Sequence, residues 1–242
     1  KAAGELTRGV DATYPPNEYK DADGNPIGWD IELANAVAAK LGLKPVWSVA
    51  AFANIIPSVT GNKVLMGVSS FTDNTERQKQ VNFVDYYQAG ILWASAAGKN
   101  VNPDDACGLK VAVQATTYEH TDEVPAKSAA CVKAGKAPID IKPFDTQDAA
   151  TTAVALGQVD AMSADSPVTA YAIAQSKGKL QAAGSSFDVA PYGYALSKTL
   201  GLEKAIQAAV QSLMDDGTYK AILTKWGVAE GAIPTAVING AK

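Results

Sequence analysis

The sequence holds one histidine and two cysteines in 242 residues, and each scarcity closes off some chemistry. Acid–base catalysis near neutral pH most often uses a histidine set in a pocket. The single one, His120, lies in "YEHTDE" between Glu119, Asp122 and Glu123, a setting that reads as a solvated helix start. The chain has no Gly-x-Ser-x-Gly elbow, no phosphate-cradling glycine loop and no His/Cys metal spacing. No apolar run reaches 18 residues, so no segment reads as a membrane-spanning helix. Lysine and arginine nowhere cluster and the net charge is −4, which argues against a nucleic-acid partner. The sequence starts at Lys1 with neither a methionine nor an apolar leader, and we read it as a mature or trimmed product.

What remains is ordinary for a globular chain, with 47% hydrophobic and 19% charged residues. The length admits one large or two modest domains. Cys107 and Cys131 leave two readings. A bridge would close a loop of about two dozen residues, contribute roughly 3 kcal/mol and imply an oxidising compartment. Two free thiols would fit a reducing one.

Short β-type runs alternate with helical ones, so the fold class is α/β. "LTRGVD" (6–11) predicts a first strand, followed by a loop with turn signals at Pro15-Pro16 and "DADGN". "WDIELANAVAAKLG" predicts a helix with Asp30 as N-cap, one face of Ile31, Ala34, Val37, Ala38 and Leu41, and Gly42 as the stop. "PVWSV" and "LMGVS" predict strands around the short helix "NIIPSVTG", and "NTERQKQV" predicts the start of another helix. A second series follows, with strands at "LKVAVQ", "IDIKPF" and "DAMSA" and helices between them. "SPVTAYAIAQS" predicts a helix capped by Ser166 with Pro167 at its first position. Two further helices, "LEKAIQAAVQSLMDDG" and "TYKAILTKWG", lie near the C-terminus.

The segments "GVDATYPPNEYKDADGNPIGWDIELANAVAAKLG", "GVSSFTDNTERQKQVNF", "VAVQATTYE" and "DAMSADSPVTAY", in this order, resemble the extracytoplasmic solute-binding proteins of polar amino-acid ABC transporters. The resemblance covers nearly the whole chain. It implies the type 2 periplasmic binding protein fold: two lobes, each a β-sheet flanked by helices, joined by two crossover strands that act as a hinge. Residues 1–89 plus 191–242 would form lobe 1 and residues 90–190 lobe 2, with "YQAGILWA" and "DVAPYGYA" as the crossings. Both cysteines fall in lobe 2, where a Cys107–Cys131 bridge would leave hinge motion free.

An α-amino acid carries two opposite charges, and a site that buries both must pair both. Arginine suits the carboxylate because its planar fork matches two oxygens and stays protonated. By the resemblance, Arg77 pairs with the ligand carboxylate, Ser70 and Thr72 assist, and Ser69 offers its carbonyl to the ammonium. Thr117 completes the carboxylate cage from lobe 2, and Asp165 takes the ammonium, although Asp165 could instead cap the helix beginning at "SPV". Tyr14 and Phe52 match the rings that sandwich the ligand side chain. Asp11 matches a position that meets a basic or amide side chain, so arginine, lysine, ornithine, histidine or glutamine is expected. The chain departs from the family pattern at Asn17, where an aromatic is common, at Ala53 and Asn82, where acidic residues are usual, and at Val64 and Leu65, which replace an aromatic–Asp pair.

The resemblance further implies a monomer that delivers an amino acid to an ABC permease, in the periplasm or as a cell-surface lipoprotein, with no cofactor and no metal. Two other classes share such a fold: a dehydratase acting on amino-acid-like cyclohexadienyl substrates, for which Glu18 is the carboxylate to test, and the ligand-sensing domain of a receptor.

Overall fold

The alternation read from the sequence becomes a mixed α/β structure in a computed structural model that describes residues 4–241. In chain order the elements are β1 (Glu5–Val10), β2 (Thr13–Tyr14), β3 (Glu18–Lys20), β4 (Pro26–Ile27), α1 (Trp29–Lys40), β5 (Lys44–Val49), α2 (Ile55–Thr60) and β6 (Met66–Gly67). Then come β7 (Val81–Ala96), β8 (Lys110–Gln114), α3 (Val124–Lys133), β9 (Asp140–Phe144), α4 (Gln147–Ala155), β10 (Ala161–Asp165) and α5 (Ser166–Gln175). The chain finishes with β11 (Leu180–Ser197), α6 (Glu203–Asp215), α7 (Thr218–Trp226) and β12 (Ala232–Ile238).

These elements group into two units. One takes in the chain up to Ala12, Pro16–Ala89 and the chain from Ala190; the other takes in Thr13–Pro15 and Gly90–Val189. Strands β7 and β11 carry the chain from one unit into the other.

In the first unit β1 lies between β5 and β6, parallel to both, and β11 adds on antiparallel through Ala195 opposite Gly67. Strand β12 runs antiparallel to β7, with Val237 opposite Asp85. Helix α6 buries Ile206, Ala209, Val210 and Leu213, the stripe that a 3.6-residue period places on one face. That stripe packs with Trp29, Leu33 and Val37 of α1 and Leu223 of α7. Each fully buried leucine or isoleucine of this kind contributes about 1.5–3 kcal/mol by leaving water. A separate cluster joins Ile55 and Val59 of α2 to Val64, Phe71 and Phe83. Gly67 permits the close fit there, because a Cβ on it would stand 3.1 Å from both Ile55 and Ala195.

In the second unit β8 pairs in parallel with β9 and β10, and β10 pairs antiparallel with Ile91–Ser95 of β7. The run Val111–Gln114 is buried throughout, as expected for a parallel strand covered on both faces. Cys107 and Cys131 are joined in a disulfide with 5.5 Å between Cα atoms.

Four local expectations change. "NTERQKQV" makes only a single 3₁₀ turn, Arg77–Lys79, and passes into β7 at Val81. Asp30 is not an N-cap. Gly28, at φ 129°, starts α1, and the Trp29 and Asp30 N–H groups donate to Pro16 and Asn17 carbonyls, so the Asp30 side chain is free to turn inward. The N-cap position of α5 is Asp165, one residue before the predicted Ser166, and no side chain caps the helix. Strand β12 and the short strands β2, β3 and β4 were not anticipated.

Candidate functional site

The first unit gathers six of the nine expected residues around the segment that follows β6. The Asp11 N–H donates to Ser69 Oγ at 3.1 Å, which ties this segment to the end of β1. Asp11 Oδ2 in turn accepts the Phe52 N–H at 2.9 Å. Ser70 is held at φ 47°, a left-handed conformation that costs a residue with a Cβ roughly 1–2 kcal/mol. Its hydroxyl donates to Glu18 Oε2 at 3.0 Å and accepts from Asn17 Nδ2 at 2.9 Å, and its N–H points to Asp30 Oδ2 at 3.4 Å. Thr72 bridges to Tyr192.

Arg77 is half-buried, and four residues surround it. Its N–H donates to Asn74 Oδ1 at 2.8 Å, its Nη1 donates to the Thr72 carbonyl at 2.9 Å, and its guanidinium carbon lies 5.5 and 5.7 Å from the Phe52 and Phe71 rings. Those rings stack on each other at 4.7 Å. A cation braced on aromatic faces and held by a main-chain carbonyl is oriented before any anion arrives. Phe52 therefore lines the arginine.

Behind this segment lie charges the sequence did not reveal. Asp30 is fully buried and accepts the Tyr86 hydroxyl at 2.8 Å. Burial pushes its carboxyl up to about 7, against the hydrogen bonds from Tyr86, Tyr194 and Ser70 and the charge of Arg8. Burial likewise lowers Arg8 to about 10, with its guanidinium 3.7 Å from the Trp47 ring centre.

The second unit holds the other three expected residues. The Tyr14 hydroxyl donates to Asp165 Oδ2 at 2.8 Å and accepts the Asp165 N–H at 3.1 Å. Burial, then Asp165 and Glu119, push Tyr14 well above its ordinary value, so it stays a neutral donor. Asp165 ends β10 and makes no side-chain cap on α5, which removes the capping role weighed for it. The Thr117 hydroxyl donates to the Gln114 carbonyl at 2.9 Å and accepts the His120 N–H at 3.4 Å. Glu119 and Glu123 are buried as well. Glu123 accepts the Trp93 indole N–H at 3.1 Å and the Ser163 hydroxyl at 2.9 Å, and burial pushes it up to about 7. His120 is half-buried, with Nδ1 accepting the Thr116 N–H at 3.0 Å. Among the described residues no three His, Cys, Asp or Glu side chains gather closely enough to hold a metal ion.

The chemistry of the units is therefore opposite. One presents a braced guanidinium with hydroxyl and main-chain groups around it, and the other a buried carboxylate backed by a phenol. Sequence reading missed Phe71, the roles of Asn17 and Asp30, and the buried Glu119 and Glu123. The buried pair carried one usable signal: Glu119 and Glu123 are four apart in "EHTDE", so one helical face can turn both inward.

Residues 6–229 match the family model of bacterial extracellular solute-binding proteins, family 3. The chain is 42% identical to the arginine-binding protein ArgT of Corynebacterium glutamicum over 98% of its own length and 78% of that protein's. It is similar to the solved structure of an ancestral arginine-binding protein bound to arginine, with a TM-score of 0.84 and 32% identity over 92% of this chain and 98% of that one. It is also similar to an ancestral amino-acid-binding protein described as a precursor of cyclohexadienyl dehydratase, with a TM-score of 0.78 and 31% identity over 92% of this chain and 95% of that one. The type 2 periplasmic binding protein fold class expected from the sequence is borne out.

Proposed function

Because the chain belongs to the bacterial extracellular solute-binding proteins of family 3, we propose that it binds a polar or basic L-amino acid, arginine foremost, and delivers it to an ABC importer. One observation carries this reading. Each unit holds one fixed charge of the sign that an amino-acid zwitterion needs, Arg77 in the first and Asp165 in the second, and each is already oriented by hydrogen bonds. In the proposal both act on one ligand, the two units are lobes that close on it, and β7 and β11 form the hinge. Closure is favoured because the ligand gains its second partner only in the closed state.

Within that reading the carboxylate meets Arg77 and Thr72, while Thr117, expected to join them, has its hydroxyl proton on the Gln114 carbonyl. The ammonium meets Asp165 and the Ser69 carbonyl. Asp11 and Phe52 face the ligand side chain, and the 42% identity to an arginine-binding protein favours a guanidinium there. Tyr14 steadies Asp165, a role its hydrogen bonds support better than a ring sandwich. The protein works outside the cytoplasm as a monomer, in a periplasm or anchored at a cell surface, where the Cys107–Cys131 bridge persists.

A thermal-shift screen against the twenty amino acids plus ornithine and citrulline tests the proposal, because a bound ligand raises Tm by mass action. Arginine, lysine or ornithine is expected to give the largest rise, and a flat screen at millimolar concentrations rejects the reading. Binding rather than turnover is checked in the same samples: the ligand should be recovered unchanged, and a new product would favour a dehydratase.

A further inference from the structure

We propose that Asn17 and Glu18 are positioning residues that lock the Ser70 hydroxyl, so that Ser70 shapes the ligand-binding segment rather than donating to the ligand. This rests on the amino-acid-binding reading above and deepens it by changing what reads the carboxylate pole.

The argument is a count of protons. A serine hydroxyl has one proton and two lone pairs. The Ser70 proton goes to Glu18 Oε2 at 3.0 Å, and Asn17 Nδ2 takes one lone pair at 2.9 Å. A carboxylate accepts hydrogen bonds only, so this hydroxyl has nothing to offer it. The Ser70 N–H, the residue's other polar hydrogen, is turned toward Asp30 Oδ2 at 3.4 Å. One hydroxyl lone pair remains, which suits a donor.

The lock is anchored in the core of the first unit. Asn17 Oδ1 accepts the Trp29 indole N–H at 2.7 Å, and the Trp29 and Asp30 N–H groups donate to the Pro16 and Asn17 carbonyls. Trp29, Asn17 and Glu18 are all fully buried. Core packing is thus connected through Trp29 and Asn17 to Ser70, which is held at φ 47° next to Phe71 in the chain. A backbone fixed in this way by the protein's own groups is pre-organised, and affinity depends on keeping it so.

Calorimetry with L-arginine on the full chain separates positioning from direct contact. Glu18→Leu should weaken binding about ten-fold or more, while Glu18→Gln, whose amide oxygen still accepts the Ser70 proton, should stay within about three-fold of the parent. Ser70→Ala combined with Glu18→Leu should bind no worse than the weaker single variant, the non-additivity of residues acting as one unit. The proposal is overturned if Glu18→Gln loses as much as Glu18→Leu, since the charge itself would then touch the ligand. It is also overturned if the single losses multiply. Should Glu18→Leu not fold, Asn17→Ala replaces it in the cycle with the same expectation. If the parent binds no amino acid, the binding reading fails, and the lock is judged separately by amide hydrogen exchange in the ligand-free protein. Faster exchange at Ser70 and Phe71 in Glu18→Leu, with α6 unchanged, supports the lock, and unchanged exchange at those two amides rejects it.

Discussion

The first unit packs Trp29, Leu33, Tyr86, Tyr194, Leu213 and Leu223 into one cluster, whereas the second builds its two clusters largely from alanine and valine, with Ala94, Ala112, Ala150, Ala153 and Ala161 among them. Small side chains bury less apolar area each, so the second unit gains less from leaving water. It is also the unit that carries the disulfide and a fully formed set of inward carboxyls, Glu119, Glu123 and Asp165. The contrast teaches that the two units meet the same demand, a rigid frame around one charge, by different means: bulk in one, a covalent link in the other.

The largest expected effects remove the two charges that the proposal assigns to the ligand. Arg77→Ala or Asp165→Asn should each cost about 2–5 kcal/mol of arginine binding, as for removing one partner of a buried charge pair. Calorimetry checks this, and parent-like affinity in either variant refutes that residue's assignment. Next, Cys107→Ser with Cys131→Ser should cost roughly 3 kcal/mol, because the closed loop no longer restricts the unfolded chain. If the contrast in packing holds, the loss falls on the second unit and splits thermal unfolding into two transitions. A single transition shifted as a whole would mean that the units unfold together.

A smaller effect follows from acidity. Glu123 titrates near 7 in the folded protein but near its ordinary value when unfolded, so the folded form holds the proton more tightly. Stability from this group is complete below about pH 4.5, declines as pH rises to about 7, and is flat beyond. Glu123→Gln should flatten that decline by a few degrees in Tm, and an unchanged Tm profile between pH 4 and 8 would sink the assignment. The smallest effect belongs to the surface. Lys136 and Asp105 pair at 2.7 Å, but both side chains are mostly solvated, so Lys136→Ala should change stability by about 0.5 kcal/mol or less.

Much of the fold is legible because periodicity survives without context. The face of α6, the buried run of β8 and the α/β alternation follow from local spacing. In the proposed site, the residues that stand out in the sequence are those whose chemistry has one obvious use, Arg77 and Asp165. Asn17, Glu18, Asp30 and Ser70 meet from three separate stretches, and nothing local announces a positive φ at a serine. Asp30 was misjudged for a related reason: a carboxylate two residues into a helix suggests a cap, and only the Pro16 and Asn17 carbonyls reveal that its neighbouring amides are already satisfied. Asn17, which departs from the family pattern, illustrates the same point, since its amide joins Trp29 to Ser70 and has a defined task.

The hydrogen bond from the Trp93 indole to Glu123 has a practical consequence. Of the four tryptophans, Trp29, Trp47 and Trp226 belong to the first unit, and Trp93 alone belongs to the second. Replacing those three with phenylalanine would leave a chain whose tryptophan emission comes from a single buried ring touching an ionisable neighbour. Its colour would then report, without any attached dye, when that half of the molecule gains a proton or comes apart.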